Sequence, residues 1–433
     1  MAYPTMPDLR SLGVFIEQAR LMHELGAKGV APVIERVRKA VDAARRQLML
    51  LPADAHLVRR EPDELTAIRQ LRPCGQRRIW RGLPMADYRQ RLEGSLLARM
   101  AGCTLGVPVE SWAVDAMENL AMELGQDFPP TDYWNRVPDP YRVRYGVSQR
   151  QSYTRRGIRG VPVDDDVAYT LLGLLVMEEH GQNFSVEDVA QSWLKYLPQA
   201  CTAEKAALDN LRHGVTARRA AVPNNPWMQW IGADIRSDPW AYVAPGWPEL
   251  AAEMAYRDAF LSHRRNGIYG AMFFAATISA AFAVDDPAEA LRIGLTEIPR
   301  DCMLAQAVRW ALRQAPRIGN YKQARAAVDK RFPGMSHIHT INNACLTIWG
   351  IMIGGRDVTR VLGQTVAMGM DNDCTAATAG SIVGAVVGKG GVPKHWYGNF
   401  NNTIHSYLIG KPKFRIDNVI DRFARQARLI VGG

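Results

Sequence analysis

Apolar side chains recur at intervals of three and four residues along most of the chain, and this spacing predicts helices. Residues 8–50 hold two such patterns. The first comprises Leu9, Leu12, Phe15 and Ile16, and the second comprises Val33, Ile34, Val37 and Val41. From residue 85 onward, helical patterns rich in alanine and leucine dominate, and the alternation typical of strands is scarce. We therefore predict an all-α protein, with a small helical extension over residues 1–84 and one large helical domain over residues 85–433.

Three stretches interrupt the helical pattern. Residues 51–84 contain four prolines, and we interpret them as a linker with a short helix around residues 63–71. Residues 126–163 and 222–248 are rich in proline and tryptophan, which predicts ordered loops on one face of the domain. Long loops that carry aromatic side chains on a rigid scaffold usually line a binding site.

Composition places the chain among soluble globular proteins. Of its 433 residues, 47% are hydrophobic and 22% are charged, close to globular averages. No apolar run approaches the roughly 20 residues that cross a bilayer, and the first ten residues lack the features of a secretion signal. The six cysteines form no CxxC pair, so we expect buried, reduced thiols and a cytoplasmic location.

The net charge of +10 raises the question of an anionic partner. Its arginines are scattered along helical patterns, and no platform of aromatic and basic residues accompanies them. Nucleic-acid binding is therefore disfavoured. An anionic small substrate or simple solubility remain the alternatives.

Two acidic clusters stand directly before helical patterns. Asp164, Asp165 and Asp166 precede an apolar face at residues 168–175. One aspartate suffices to cap a helix, whereas three in succession repel one another unless a cation neutralises them. Asp371 and Asp373 precede the second pattern, and they flank a single residue, so both can turn toward one point. Helix capping and metal binding both remain open from this pattern.

The ligand type would decide which metal is bound. Both clusters offer carboxylate oxygens with no histidine nearby, which favours Mg²⁺ or Mn²⁺ over zinc. Carboxylates from two chain segments, together with water, suffice for a two-metal site.

Small residues recur every fourth position in two of the predicted helices. They are Gly94, Ala98, Gly102 and Gly106 in the first helix, and Gly380, Gly384 and Gly388 in the second. Glycine inside a helix costs about 1 kcal/mol relative to alanine, so the repetition indicates close packing of a neighbouring backbone. After the first stripe, a turn at Pro108 presents Glu110.

These features occur in a characteristic order. The segments are G-x-x-x-A-x-x-x-G-x-x-x-G-x-P-x-E at 94–110, D-D-D-x-x-x-T at 164–170, I-G-A-D-I-R at 231–236, D-A-x-x-S-H at 258–263 and D-N-D-C-x-A-A-x-x-G-x-x-x-G at 371–384. Together they resemble the ADP-ribosylglycohydrolase family, over about residues 85–430. The resemblance implies an orthogonal helical bundle with two Mg²⁺ ions, or Mn²⁺, at the bottom of a cleft.

The family's two acidic motifs map onto this chain with departures. Asp165, Asp166, Asp371 and Asp373 match the family's metal-binding aspartates, and Asp164 adds a further oxygen ligand where the family has threonine. Two other hydroxyl positions differ, because the chain has Val167 and Cys374 there. A thiol is a poor Mg²⁺ ligand, so we expect water or Thr375 to take the place of the Cys374 side chain.

The resemblance also implies roles around the bond to be cleaved. Glu110 and Asp373 are the expected catalytic residues, which position water or donate a proton to the leaving group. Arg236, Ser262 and His263 are expected to line the ribose and phosphate pocket. Two segments, 266–270 and 337–343, resemble a longer branch of the family, and they add Tyr269 and Asn343 to the expected substrate-binding residues.

The leading hypothesis is therefore metal-dependent hydrolysis of a ribosyl glycosidic bond, with an ADP-ribosyl group, free or on a protein, as substrate. One alternative is a nucleosidase, in which Trp227, Trp230, Trp240 or Trp247 would stack on a base; these tryptophans could equally pack their own loop. A second alternative is a binding module with little catalysis, because hydroxyls of the metal motifs are replaced.

Overall fold

The computed structural model of the chain describes residues 10–137, 143–144 and 148–432. The α-helices are α1 (Arg10–Glu24), α2 (Val30–Leu50), α3 (Ala55–Arg60), α4 (Leu65–Leu71), α5 (Met85–Gly106), α6 (Val114–Leu124), α7 (Asp165–His180), α8 (Val186–Tyr196), α9 (Thr202–Arg212), α10 (Asp238–Val243), α11 (Pro248–Ala259), α12 (Asn266–Ala281), α13 (Pro287–Gly294), α14 (Met303–Gln314), α15 (Tyr321–Arg331), α16 (Thr340–Gly354), α17 (Val358–Ala367), α18 (Asn372–Val387) and α19 (Ile416–Val431). The strands β1 (Val143–Arg144), β2 (Ser148–Gln149), β3 (Thr403–His405) and β4 (Lys413–Arg415) form two small antiparallel pairs.

The prediction of an all-α protein is confirmed. The two helices expected in residues 8–50 are α1 and α2, and the short helix expected at 63–71 is α4. Part of the loop expected at 126–163, namely residues 138–142 and 145–147, lies outside the described residues. Among the described helices, none combines the length and the apolar character that crossing a bilayer requires.

The chain divides into two compact units, Met1–Arg59 and Arg60–Gly433. In the described part of the first unit, neither α1 nor α2 contains a buried residue. Large apolar side chains such as Ile34 and Leu48 are exposed there. The amphipathic pattern of α2 is therefore real, but the unit by itself does not bury its apolar face.

The centre of the second unit is a layer of nearly apolar helices. Every residue of α12 is buried, and so are almost all residues of α16 and α18. A helix that is apolar all round belongs in the interior of a large domain, and the sequence of these three helices has that character.

The small-residue stripes of α5 and α18 pack against each other. A Cβ atom added at Gly102 would lie 2.2 Å from the carbonyl oxygen of Ala376, and one added at Gly384 would lie 2.4 Å from that of Gly94. Since real side chains cannot occupy such positions, glycine is required for the two backbones to approach this closely. The pairing brings the end of α5 beside the start of α18.

Residues 60–84 attach to the second unit by buried polar contacts. The Glu61 carboxylate accepts hydrogen bonds from the Met303 backbone N–H at 2.8 Å and from Asn266 Nδ2 at 2.9 Å, and it pairs with Arg265. Further along, the Ile79 N–H donates to the carbonyl oxygen of Gly246 at 2.7 Å. The compact unit begins at Arg60, and the domain boundary at residue 84 stays a prediction.

Candidate metal centre and cleft

The first acidic cluster caps helix α7. Asp164 has an extended backbone, and its Oδ1 accepts a hydrogen bond from the Asp166 N–H at 3.0 Å, which is the usual geometry of an N-cap. Asp165 and Asp166 are the first two residues of the helix. The capping interpretation is therefore correct for Asp164, whereas Asp165 and Asp166 do not cap the helix.

The second acidic cluster follows a tight reversal of the chain. Gly369 and Met370 both have left-handed backbones, with φ of 69° and 62°, between the end of α17 and the start of α18. Left-handed backbone is costly for a non-glycine residue and is often stored at functional sites. The Asp371 N–H then donates to Asn343 Oδ1 at 3.3 Å. Asn343 thereby holds the backbone from which Asp371 extends.

Glu110 reaches the same place from the end of α5. A short 3₁₀ helix, Val107–Val109, turns the chain, and the next residue, Ser111, donates its N–H to the carbonyl oxygen of Met370 at 2.9 Å. This bond ties the turn that carries Glu110 to the loop that carries Asp371. A Cβ added at Gly106 would lie 2.4 Å from the Asp373 Cα, so the end of α5 also abuts the second cluster.

The structure brings the two acidic segments together. Ligand atoms of Glu110, Asp371 and Asp373 all lie within 4.8 Å of one another. A second group, Asp166, Asp373 and Cys374, satisfies the same distance, and Asp373 belongs to both groups. A third group satisfies the same distance and consists of Cys103, Asp164 and Asp166. It shares Asp166 with the second group.

Burial makes this concentration of carboxylates electrostatically unfavourable. It raises the pKa of Asp166 and of Asp373 well above the usual range, and neighbouring carboxylates raise both further. Burial, together with the charge of Glu110, raises the pKa of Asp371 to about 7. A bound cation would remove this penalty, because it interacts favourably with the ionised form of each carboxylate.

One buried arginine offsets part of the negative charge. Arg99 of α5 lies 3.4 Å from Asp166 Oδ1 and also contacts Asp238 Oδ2 at 2.7 Å. Its remaining hydrogen bonds go to Thr170 Oγ1 and to the carbonyl oxygens of Asp166 and Ile235. Because Asp238 shares the guanidinium, Arg99 does not neutralise the cluster.

Two thiols border the Asp166 carboxylate. Cys374 Sγ donates a hydrogen bond to Asp166 Oδ2 at 3.2 Å, and Cys103 lies on the side of Asp164. Burial and the nearby carboxylates raise the pKa of both thiols well above the usual range. From the sequence, Cys103 could be predicted only as a buried thiol, because nothing in its spacing connects it with Asp164.

The cluster forms the floor of a cleft of about 460 Å³. Glu110, Asp165, Asp371, Asp373 and Cys374 line it. The walls come from α7, α9, the 3₁₀ helix Ile231–Arg236 and the turn before α16. They include Tyr169, Glu204, Ile231, Gly232, Ile235 and Ile338. A cleft of this size suits a drug-sized organic ligand. The expectation that the segment 222–248 lines a site agrees with this arrangement.

Arg236, Ser262 and His263 lie close together, but none of the three lines the cleft. Arg236 is 2% exposed, and its guanidinium donates to Glu204 Oε1 at 2.9 Å, to Asp258 Oδ2 at 2.7 Å and to Ser262 Oγ at 3.0 Å. Ser262 Oγ in turn lies 2.8 Å from His263 Nδ1. Two carboxylates thus balance the charge of Arg236, so it does not present a positive wall to the cleft. The expected contact of these residues with substrate stays a prediction.

Tyr269 also has an intramolecular partner. It is buried in α12, and its hydroxyl donates to the carbonyl oxygen of Pro62 at 2.5 Å, between α3 and α4. In the described part of the chain, Tyr269 and Asn343 are not among the residues that line the cleft. Their expected role in substrate binding stays a prediction, and the structure shows a positioning contact for each.

The tryptophans of the 222–248 segment pack within the protein. Trp240 is buried against Phe184, with ring centroids 4.7 Å apart, and Trp247 is stacked by Arg78. Trp227 and Trp230 contact each other edge to face. Among the described cleft residues none is a tryptophan, which favours the loop-packing alternative.

Sequence reasoning missed Glu204 and Asp234. Burial raises the pKa of Glu204 to about 7, against the opposing effect of Arg236. Asp234 accepts a hydrogen bond from Thr340 Oγ1 at 2.5 Å, and burial raises its pKa well above the usual range. Asp234 lies inside the quoted I-G-A-D-I-R segment, so its signal was present. Glu204 shows no such signal, because a single glutamate in the first turn of a helix is ordinarily a surface residue.

Comparisons with known proteins bear on the family and the fold. The model of a family described as ADP-ribosylglycohydrolase matches residues 84–429. None of the curated proteins matches the chain by sequence. Among solved structures, a chain of an "ADP-ribosylglycohydrolase-related protein complex" is similar, with a TM-score of 0.52 and 18% sequence identity, over 79% of this chain and 99% of that chain. At this identity, the likeness shows a shared fold.

Proposed function

This chain belongs to the ADP-ribosylglycohydrolase family of glycosidic-bond hydrolases, and from this membership we propose that it is a divalent-metal-dependent enzyme that cleaves the ribosyl glycosidic bond of an ADP-ribosyl group. The observation that carries the proposal is the convergence of the Asp164–Asp166 and Asp371–Asp373 segments at the floor of one cleft. If the aspartates only capped α7 and α18, the starts of these two helices would not need to lie at the same cleft.

The residues present fit a divalent cation. Asp371 Oδ1 is buried and has no hydrogen-bond partner, so it is available to a ligand. Glu110, Asp371 and Asp373 would hold one ion through oxygen atoms alone, the donor type that Mg²⁺ and Mn²⁺ prefer. Asp166 and Asp373 would contribute to a second, and we propose two ions in total. When bound, the ions orient the ribose hydroxyls and stabilise developing negative charge.

Glu110 and Asp373 differ in their exposure to solvent, and the proposal gives them different roles. Glu110 is partly exposed at the cleft, so it can exchange a proton with solvent and serve as the general acid or base toward the water or the leaving group. Asp373 is 2% exposed and belongs to both ligand groups. It therefore positions the reacting groups, and its carboxylate stabilises the oxocarbenium character of the transition state.

The proposed substrate is an ADP-ribosyl group, either free or attached to a protein. The cleft volume of about 460 Å³ and its opening to solvent support a nucleotide-sized ligand. No disulfide joins the six cysteines, all of which lie in the described residues, and this supports the proposed cytoplasmic location. The nucleosidase alternative loses its specific support, because the tryptophans pack elsewhere.

The decisive assay measures ADP-ribose release from an ADP-ribosylated protein with Mg²⁺ or Mn²⁺ present. The double variant Asp371→Ala/Asp373→Ala should lose nearly all activity, because both ligand groups lose members. The matched control is Asp301→Ala/Asp421→Ala, which removes two exposed aspartates and should behave as wild type. Equal activity in the two double variants would contradict the mechanism.

The same assay separates the alternatives. Faster release of base from free nucleosides than of ADP-ribose from the modified protein would favour a nucleosidase. Tight binding of ADP-ribose, measured by calorimetry, without turnover under any divalent metal would favour the binding module.

A further inference from the structure

Glu204 is a buried carboxylate in the wall of the cleft. It belongs to the first turn of α9, its residue is 3% exposed, and it lines the cleft. Arg236 Nη1 donates a hydrogen bond to its Oε1 at 2.9 Å, which fixes the orientation of the carboxylate. A charged side chain that is nearly buried and still borders a ligand-sized cavity is in a position to contact the ligand.

The backbone of Gly232 makes room for this carboxylate. A Cβ atom added at Gly232 would lie 2.2 Å from Glu204 Oε1 and 2.5 Å from Oε2. A side chain at position 232 would therefore occupy the space that the carboxylate fills. Gly232 also lines the cleft, so both carboxylate oxygens lie against a residue that borders the ligand cavity.

The positive charge beside Glu204 does not balance the negative charge. Arg236 contacts Glu204 Oε1 at 2.9 Å and Asp258 Oδ2 at 2.7 Å, so one guanidinium faces two carboxylates. His263 Nε2 is 3.9 Å from Glu204 Oε1, but burial lowers the pKa of His263 well below its usual range, and the neutral ring adds no charge. Burial raises the pKa of Glu204 to about 7, and a hydrogen-bond donor or a positive charge in the cleft would favour its ionised form.

This part of the cleft wall does not suit a phosphate. Among the described residues that line the cleft, none is lysine, arginine or histidine. Phosphate groups are usually bound by arginine, lysine or backbone N–H groups, and a carboxylate beside them is repulsive. An ionised carboxylate only accepts hydrogen bonds, so its partners are groups that donate them, such as hydroxyl, amine or guanidinium groups.

We propose that Glu204 is a specificity-determining residue, which binds a hydrogen-bond-donating, phosphate-free part of the ribosyl substrate. This inference rests on the proposed function and adds a substrate contact to it. The donor belongs either to the nucleotide, as a ribose hydroxyl or the amine of the base, or to the group from which the ADP-ribosyl group is released. In both cases the diphosphate lies away from the start of α9.

The test compares the full-length wild type with Glu204→Gln, which keeps the size of the side chain and removes its charge. Calorimetry with Mn²⁺ present measures the affinity for free ADP-ribose, and steady-state kinetics measure KM and kcat for release of ADP-ribose from an ADP-ribosylated protein. We expect ADP-ribose affinity to fall, or KM to rise, by about tenfold or more, because a hydrogen bond to a charged group is lost. Weaker ADP-ribose binding assigns the donor to the nucleotide, and a rise in KM alone assigns it to the released group.

Asp258→Asn is the matched control for a purely structural effect. Asp258 is 4% exposed and accepts a hydrogen bond from the same guanidinium, but it is not among the described residues that line the cleft. Both variants remove one carboxylate from Arg236, so both should lower the free energy of unfolding by similar amounts. Asp258→Asn should keep ADP-ribose affinity and KM within about twofold of the wild type.

Gly232→Ala displaces the carboxylate without removing it. The carboxylate is the end of a flexible side chain, so it can move away from the added methyl group, and the variant remains informative if Glu204→Gln does not fold. The affinity or KM that changes in Glu204→Gln should change in the same direction here. The double variant Glu204→Gln/Gly232→Ala should be no weaker than Glu204→Gln alone, and additive losses would count against the inference.

The outcomes separate the inference from the proposed function. If folded Glu204→Gln has the ADP-ribose affinity and the KM of the wild type, the inference is overturned and the proposed function stands. Tighter binding of ADP-ribose would show that the carboxylate faces the diphosphate, and equal losses in Asp258→Asn would show a structural role; either result overturns the inference. A wild-type protein that neither binds nor releases ADP-ribose would overturn both.

Discussion

Asp166 is the carboxylate at which the two acidic segments meet. On one side it contacts Arg99 of α5, and on the other it accepts a hydrogen bond from Cys374 of α18. Burial raises its pKa well above the usual range. At the residue scale, the site is therefore a set of carboxylates that the fold holds in an unfavourable, low-dielectric environment, and this favours the binding of a compensating cation.

The guanidinium of Arg236 is held by two buried carboxylates, and this predicts a role in stability. Replacing it by methionine, Arg236→Met, leaves Glu204 and Asp258 buried without their cation. We expect the free energy of unfolding to fall by about 3–5 kcal/mol, as for other broken buried ion pairs. Denaturant unfolding monitored by circular dichroism measures it.

The control is Arg292→Met, because Arg292 is 64% exposed and its nearest carboxylate oxygen, of Asp286, is 4.0 Å away. It should change stability by no more than about 0.5 kcal/mol. An Arg236→Met protein of normal stability that binds ADP-ribose poorly would show instead that Arg236 contacts the substrate.

At the residue scale, the acidic residues of the site could be predicted from the sequence, but the residues that contact them could not. Asp371 and Asp373 could be predicted because they form a short pattern before a helix. Arg99, Cys103 and Glu204 could not, because each is an isolated residue within a helix, and its burial depends on which distant helix packs against it. Arg236 was expected by resemblance to line the substrate pocket, but its two carboxylate partners, 22 and 32 residues away, could not be predicted from the sequence.

The element that positions the site is the pair α5 and α18. Glycine and alanine backbones meet along both helices, and the last contact of the series places Gly106 against Asp373. The stripe of small residues predicted close packing in each helix. It could not predict that the two stripes pack against each other, because many helices of this domain are rich in alanine.

Gly106→Ala tests this positioning role. The added methyl group would lie 2.4 Å from the Asp373 Cα, so the start of α18 must move. We expect a loss of about 1–3 kcal/mol in the free energy of unfolding, as for other overpacked sites. We also expect divalent-metal affinity to fall about tenfold, since metal sites tolerate little displacement of their ligands.

The comparison variant is Gly390→Ala, where an added Cβ meets nothing within 4 Å. It should leave both unfolding and metal binding unchanged. The positioning role is contradicted by a Gly106→Ala protein whose calorimetric metal affinity equals that of wild type.

For the whole molecule, the large unit depends on contacts that join distant parts of the chain. Glu61 connects its first residues with the N-terminus of α14 and with Asn266 of α12. The sequence predicted the helical class and the individual helices α1, α2 and α4, because their periodicity is local. The interpretation of residues 51–84 as a linker did not anticipate the attachment of residues 60–84. The backbone hydrogen bond from Arg265 to Asp63 and the ion pair of Arg265 with Glu61 join residues 202 and 204 positions apart.

The contribution of His339 to stability should decrease toward acid, whereas buried carboxylates with raised pKa, such as Asp371 and Glu204, act in the opposite direction. Burial lowers the pKa of His339 from 6.5 to about 4, and its Nδ1 accepts the Ile341 N–H as the cap of α16. Below pH 6.5 the unfolded chain gains a proton that the folded protein excludes. The stability that neutral His339 contributes is therefore lost as the pH falls from about 6.5 toward about 4, and about 2 kcal/mol of it is lost by pH ~5.

His339→Asn isolates this effect, because asparagine also caps a helix but does not titrate. Unfolding free energies of both proteins are measured between about pH 7.5 and about pH 5. The wild type should lose more stability than the variant across this range. Parallel curves would mean that His339 is accessible to protons in the folded state.

The central claim is that carboxylates of α7 and α18 together hold divalent ions at the floor of the cleft. The most direct measurement is an anomalous difference map from crystals of the full chain grown with Mn²⁺. The account predicts strong peaks between the carboxylates of Asp166, Asp371 and Asp373, and no such peaks for Asp371→Ala/Asp373→Ala crystals. A wild-type map with no peak at these carboxylates would contradict it.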